Sequence, residues 1–106
     1  MAETITAGVR RGAALLDRKL PGWHTRINLN TLDLNDCEAC ILGQLYGKYS
    51  YGLEVLLVGD QFYLKRYHYG FSSLRVRGKD KGMRRLTATW ARLVAKRILS
   101  RFGIGF

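Results

Sequence analysis

The chain contains few of the residues that several classes of protein depend on. Of its 106 residues, two are cysteine, one is proline and eight are acidic. Two cysteines are too few for a disulfide framework and favour a reducing compartment. No apolar run reaches the roughly 18 residues that a membrane-spanning helix needs, so we predict no membrane partner. The segment Met1–Ile5 is polar and acidic rather than a secretory signal, and we therefore expect a cytoplasmic protein.

The chain also lacks the usual catalytic and phosphate-binding motifs. Its twelve glycines form neither a GxGxxG nor a GxxxxGK[ST] loop. The acidic residues are too scattered to offer paired carboxylates, and neither histidine stands at a motif spacing from a nucleophile. We therefore predict that the protein is not an enzyme and needs no cofactor.

Length and composition indicate one domain that spans residues 1–106, with an ordinary hydrophobic content of 47%. From about Thr4 to Leu20, apolar residues recur at spacings of three and four, which predicts an amphipathic helix. Further along, Asn35 and Glu38 resemble a capping box. They predict the start of a short helix that ends at Gly47.

The clearest predicted element is a C-terminal amphipathic helix over residues 84–102. Its apolar face contains Leu86 and Trp90. Spacings of seven and four return to nearly the same angle on a helix, so three cations share a second face. These are Arg85, Arg92 and Lys96. The basic segment 72–83, which contains two glycines, predicts a mobile loop before this helix.

The middle of the chain fits two interpretations. Residues 53–69 contain two apolar runs on either side of Gly59-Asp60, which is typical of a β-hairpin with a two-residue turn. The same residues fit two short helices, with Asp60 as a cap and Gly70 as the stop. We predict a mainly α fold, a compact bundle of four to five helices. The alternative is an α+β fold in which the hairpin packs on two or three helices.

Charge is distributed very unevenly along the chain. Residues 1–60 contain six Lys/Arg and seven Asp/Glu, a net charge of −1, whereas residues 61–106 contain twelve Lys/Arg and one acid, a net charge of +11. Such a field attracts polyanions, so we predict nucleic acid or an acidic protein surface as the partner. The cations predicted to contact it are Lys65, Arg66, Arg75, Arg77, Lys79, Lys81, Arg84, Arg85, Arg92 and Lys96.

All six tyrosines fall between Tyr46 and Tyr69, interleaved with lysine and arginine. Exposed rings beside cations stack on unpaired bases, or they anchor a protein partner. A third interpretation places about half of them in the core, with only the hydroxyls reaching water. We predict that Tyr49, Tyr51 and Tyr63 are the exposed ones.

The cysteines and histidines offer two further chemistries. Cys37 and Cys40 lie at the predicted start of a helix, which favours a thiolate, but a thioredoxin-type site needs a preceding strand that the pattern lacks. With His24 and His68 they make a Cys₂His₂ set, at spacings that match no standard zinc module. We predict instead that no metal binds, that Cys40 packs in the core and that Cys37 does so in part.

Several segments share a pattern with a known group of proteins. They are Leu16-Asp-Arg-Lys-Leu-Pro-Gly-Trp-His-Thr-Arg-Ile27, Leu32-Asp-Leu34, Cys40-Ile-Leu-Gly-Gln-Leu-Tyr-Gly47, Gly52-Leu53 and Gly70-Phe71. This part of the chain, residues 13–71, resembles small uncharacterised proteins of actinobacteria and their phages that share the pattern LDxxxPGWxxRI…LD…CxLGQLYG…GL…GF. The group has no established activity. The resemblance implies a mainly helical fold and, for a phage-encoded protein, the cytoplasm of a bacterial host.

These observations support two functions. The first is a small basic protein that binds nucleic acid through phosphate contacts from the loop at 75–85 and the C-terminal helix. The alternative is a phage-type protein-interaction module, which binds an acidic surface of a host protein complex through tyrosines and charge. No residue pattern indicates base-specific recognition or a preference for DNA over RNA.

Overall fold

The structure, a computed structural model, describes residues 5–56, 62–72 and 81–101, without the side chains of 62–64, 81 and 101. Five α-helices and one 3₁₀ turn make up most of these residues, and no strand occurs among them. In chain order they are α1 (Ile5–Lys19), the 3₁₀ turn (Trp23–Arg26), α2 (Ile41–Tyr46), α3 (Tyr49–Leu56), α4 (Phe62–His68) and α5 (Lys81–Arg101). The prediction of a mainly α fold is confirmed.

Helix α1 follows the apolar spacing of the sequence. Val9, Ala13 and Leu16 are buried, as expected of positions that recur every three to four residues on one face. The helix ends at Lys19, and Gly22 then adopts a φ of +80° at the start of the 3₁₀ turn. That left-handed conformation suits glycine, which has no Cβ to clash with the backbone.

Helix α1 also approaches the segment after α4 very closely. A Cβ on Gly12 would overlap the carbonyl oxygen of Tyr69 and lie 3.0 Å from the ring of Trp90. Gly70 has a φ of +69°, and a Cβ there would lie 2.8 Å from the backbone nitrogen of Val9. Two glycines on opposite sides of this contact therefore permit a backbone approach that larger residues would prevent.

The described residues in the middle of the chain form the helices α3 and α4, so the β-hairpin alternative for residues 53–69 is wrong. In α3 the buried residues are Gly52, Leu53 and Leu56, a helical spacing rather than the alternation of a strand. Helix α4 ends in a Schellman motif, in which the N–H of Phe71 donates to the carbonyl of Arg66 and that of Gly70 to the carbonyl of Tyr67. Gly70 is thus the helix stop that the helical interpretation predicted, whereas Asp60 lies outside the described residues.

The start of α2 differs from the predicted capping box. The side chain of Asp36 accepts hydrogen bonds from the backbone N–H groups of Glu38 and Ala39, which forms a turn in place of a helix start. Hydrogen bonds from short polar side chains to the nearby backbone often compete with helix formation. The N-cap is instead Cys40, whose sulfur accepts from the N–H of Gly43 at 3.2 Å. The predicted end at Gly47 is confirmed, with a φ of +93°.

Helix α5 begins at Lys81, three residues before the predicted start at 84. Residues 81–83 are therefore helical and not part of the predicted mobile loop 72–83; residues 73–80 lie outside the described residues. Met83 is buried in this first turn, and its carbonyl accepts from the hydroxyl of Thr87. Burial of Met83 is consistent with a helix that starts early, because it adds one apolar residue to the core.

Aromatic rings form the centre of the core. The fully buried ring of Trp90 lies edge-on to Trp23 at 5.8 Å and stacks on Phe71 at 5.7 Å between ring centroids. Its indole N–H donates to the carbonyl of Gly70 at 2.6 Å. One side chain of α5 thereby holds the 3₁₀ turn and the end of α4 together, which fixes the outward face of α5 relative to α1. The Cα radius of gyration, 13.3 Å, is close to the roughly 13 Å expected for one domain of this size.

Candidate functional site

The outward face of α5 is strongly basic. Among residues 81–101 the sequence has no aspartate or glutamate. Within the described part of the chain, four exposed cations of this helix take part in no ion pair or hydrogen bond through their side chains. They are Arg84, Arg85, Arg92 and Lys96, all predicted from the sequence. At a rise of about 1.5 Å per residue, the stripe from Arg85 to Lys96 is about 16 Å long.

A fifth cation of α5, Arg97, has a different environment. Its guanidinium donates to the carboxylate of Asp17 on α1 and lies 5.6 Å from the ring centroid of Trp23. The same carboxylate accepts from the indole N–H of Trp23 at 2.9 Å. The hydrogen bond from Arg97 holds the pKa of Asp17 below its usual value, because it favours the ionised carboxylate. Arg97 therefore joins α5 to α1 and the 3₁₀ turn.

Helix α4 contributes less than predicted to the free positive charge. Lys65 is exposed, but Arg66 is half-buried and donates to the hydroxyl of Tyr67 at 2.6 Å. The Arg66 guanidinium also lies 4.7 Å from the centroid of that ring. Lys65 lies on α4, which packs on α1 and α3, whereas the stripe of cations lies on α5.

Several predicted contact residues cannot be placed. Arg75, Arg77 and Lys79 lie outside the described residues, as do the side chains of Lys81 and Tyr63. Their roles stay predictions from the sequence. The backbone of Lys81 is placed as the first residue of α5.

Sequence reasoning missed one cation of this region, Arg10 on α1. Its exposed side chain lines a groove of about 460 Å³ between α1 and α5, together with Arg92 and Lys96. Arg10 lies off the apolar stripe of α1, so helical spacing predicts only an exposed side chain and gives no sign that it faces the cations of α5. Only the packing of α1 on α5 brings the three together.

Of the two predicted aromatic contacts whose side chains are described, one is exposed and one is half-buried. Tyr51 is 55% exposed, as predicted, and Val55 one turn later on α3 is 42% exposed. Tyr49 is half-buried against the core, so the prediction that it is exposed is wrong. Burial raises the pKa of Tyr49 to about 12.

The cysteines and histidines do not form one site. Cys40 is buried as predicted, but Cys37 is exposed and does not pack in the core. Burial raises the pKa of the Cys40 thiol to about 11, which opposes the thiolate that a redox site needs. In the part of the chain that the structure describes, which includes His24 and His68, no three His, Cys, Asp or Glu residues are grouped to hold a metal ion.

Comparisons with models of protein families, with curated proteins and with solved structures give no match to this chain. The resemblance of residues 13–71 to actinobacterial and phage proteins thus stays a prediction. Across the described ranges 5–56, 62–72 and 81–101, no helix is both long and apolar enough to cross a membrane. The function is therefore argued from the basic face of α5 and its surroundings.

Proposed function

We propose that the protein binds nucleic acid through its phosphate backbone, with the exposed cations of α5 as the main contacts. The observation that carries this proposal is the set of cations without acidic neighbours on that helix, Arg84, Arg85, Arg92 and Lys96. Lysine and arginine side chains gain affinity for phosphates because binding releases condensed counterions. Arginine adds paired hydrogen bonds to two phosphate oxygens. The expected setting is the cytoplasm of a bacterial host.

The chemistry of α5 favours contact with the backbone over recognition of bases. Over Lys81–Arg101 the helix has no asparagine or glutamine, the side chains that read adenine by paired hydrogen bonds. Its remaining polar residues are threonines and a serine, and the hydroxyls of Thr87 and Thr89 already donate to carbonyls of the preceding turn. The proposal is therefore for binding with little dependence on sequence.

The contrast with Arg97 supports the choice of contact residues. To reach a phosphate, Arg97 would have to leave the carboxylate of Asp17 and the ring of Trp23. Arg92 has no such partner to give up, so its full charge is available to a polyanion. The proposed interface consequently includes Arg92 and excludes Arg97, although the two residues lie close together in the sequence.

The test is a salt titration of binding to labelled duplex DNA and to single-stranded RNA, followed by fluorescence anisotropy. The variant Arg85→Gln, Arg92→Gln, Lys96→Gln removes three proposed phosphate contacts. For duplex DNA we expect the slope of log K against log salt to become shallower by about 2–3, at about 0.9 per contact. The matched control is Arg18→Gln, Lys19→Gln, Arg26→Gln, which removes three exposed cations elsewhere.

Two outcomes would contradict the proposal. Absence of binding by the unmodified chain at low salt would exclude nucleic acid as the partner. An equal loss of slope in the variant and in the control would show that net charge alone drives binding, without a defined face on α5.

A second candidate is a protein-interaction module that binds an acidic surface of a host complex. The observation that favours it is the exposed pair Tyr51 and Val55, which lie one turn apart on α3. Exposed aromatic residues are frequent anchors of protein interfaces. A partner that is retained after nuclease treatment and lost in Tyr51→Ala, with the fold unchanged by circular dichroism, would support this candidate.

A further inference from the structure

The groove between α1 and α5 has a composition that phosphate binding does not require. Its volume of about 460 Å³ lies within the roughly 300–1,000 Å³ of ligand-binding clefts. Four of the nine residues that line it are apolar, three are cationic, two are threonine and none is acidic. The lining residues are Thr6, Val9, Arg10, Thr89, Arg92, Leu93, Ala95, Lys96 and Leu99.

The two helices line the groove over unequal lengths. Helix α5 lines it from Thr89 to Leu99, about 15 Å at 1.5 Å per residue, which is close to three helical turns. Helix α1 contributes a single turn, Thr6 to Arg10. Leu93 and Leu99 are only half-buried, so the apolar surface of α5 continues past the part that α1 covers.

We propose that this groove binds an acidic amphipathic helix of a partner protein. Apolar side chains on one face of that helix contact the half-buried Leu93 and Leu99, as in other complexes where a helix lies in a groove. Its flanking carboxylates pair with the cations that line the groove, Arg10, Arg92 and Lys96. Opposite charge on the two sides orients the partner, and a basic helix is repelled because the nine described lining residues include three cations and no acid.

Other ligands suit this lining less well. None of the nine described residues that line the groove is aromatic, so the lining offers no ring on which an unpaired base would stack, and that stacking supplies much of the affinity for single strands. A fatty acid has one carboxylate, whereas the three cations are divided between two helices. Several carboxylates spaced along a helix match that distribution, because residues three and four apart lie on one face.

The proposal does not depend on nucleic-acid binding, but it shares two residues with it. Arg92 and Lys96 belong both to the basic stripe and to the groove. An acidic helix in the groove would therefore compete with phosphates for these two cations. Leu93 and Leu99 belong to the groove alone, which makes the two proposals separable by experiment.

The probe is a fluorescein-labelled synthetic peptide of about 15 residues, or about four helical turns. Leucines at spacings of three and four form one face and glutamates fill the other, with both ends blocked. One control peptide has the same composition in scrambled order, and a second has lysine in place of glutamate. We expect the first peptide to bind the full chain at least about tenfold more tightly than either control, since a few buried anchors dominate such interfaces.

Variants of the groove locate the binding. Thr89→Glu places an acid in the lining, and we expect it to weaken peptide binding by about tenfold through repulsion of the glutamates. The matched control is Ser50→Glu, which makes the same charge change at an exposed position of α3, away from the groove. Leu93→Gln removes an apolar contact, and it should weaken the peptide while leaving the salt-dependent binding of duplex DNA unchanged. Circular dichroism checks that each variant folds.

Several results would overturn the proposal. Equal binding of the ordered and scrambled peptides would show attraction by net charge alone. Displacement of the bound peptide by oleate at lower concentration would indicate a lipid site. A gain in peptide affinity after deletion of residues 102–106 would identify the chain's own terminus as the occupant. Failure of every peptide, with DNA binding intact, rejects this inference and leaves the proposed function standing.

Discussion

Arg92 and Arg97 stand five residues apart on the same helix, yet their surroundings differ in every respect. Arg97 is half-buried, bound to Asp17 and placed over the ring of Trp23. Arg92 is exposed and has no ion pair within the described residues. Arg97 therefore stabilises the packing of α5 on α1, whereas Arg92 is available to a partner. A count of positive charges therefore overstates the binding surface, and the partners of each side chain decide which charges belong to it.

The largest expected effect is on stability and comes from a core substitution that removes the main contact holding α5 in place. Trp90→Ala removes a fully buried ring and leaves the carbonyl of Gly70 without its donor. Such a truncation typically costs about 3–5 kcal/mol of the free energy of unfolding. Urea denaturation followed by circular dichroism measures it, and a loss below about 1 kcal/mol would mean that Trp90 does not hold the helices together.

An intermediate effect separates the two arginines. We expect Arg92→Gln to make the salt slope of duplex DNA binding shallower by about 0.9. We expect Arg97→Gln to lower stability by about 1 kcal/mol, since a partly exposed ion pair and a cation–π contact are each worth a fraction of that.

The same two measurements, salt titration and urea denaturation, are made on both variants. Arg92→Gln should change stability by less than about 0.5 kcal/mol, as is usual for an exposed residue. The comparison fails if the two substitutions have the same effect on DNA binding and on stability.

The smallest expected effect is on the acid side of the pH profile. Because Arg97 lowers the folded-state pKa of Asp17 below its usual value of 3.8, the carboxylate contributes stability that is fully present above that value. This contribution to stability is lost as the pH falls from 3.8 through the folded-state pKa of Asp17. Urea denaturation of Asp17→Asn at neutral pH and below pH 4 checks this: the difference from the unmodified chain should shrink in acid. A difference that stays constant across that range would exclude the linkage.

Much of the helical structure could be predicted from local patterns. The spacing of Val9, Ala13 and Leu16 predicts α1, and Gly70 predicts the end of α4, because periodicity and turn residues act over a few positions. The boundaries were less predictable. Asp36 bonds to its own following backbone and displaces the expected cap, so that α2 begins only after Cys40. Two local hydrogen-bonding arrangements are open to these residues, a capping box and an aspartate turn, and the residue types alone do not rank them.

In the candidate site, too, local sequence patterns predict some features and only the tertiary packing decides the others. The exposure of Arg85, Arg92 and Lys96 follows from helical spacing, and the structure places all three side chains outward. Tyr49 was predicted to be exposed, but it packs against the core, because its neighbours come from other helices. The contribution of Arg10 to the groove has no signal in the sequence, since it depends on the angle at which α1 crosses α5.

By itself, the sequence determined that the positive charge is concentrated after residue 60 and predicted a mainly helical fold, because both properties depend on neighbouring residues. It left residues 53–69 open between two short helices and a β-hairpin. Tertiary structure alone decided which charges stay available. Asp17 and Arg97 are 80 residues apart in the chain and meet only through the packing of α1 on α5. The same packing places Arg10 opposite Arg92 and Lys96. Contacts at such separations depend on the whole fold, so no local pattern records them.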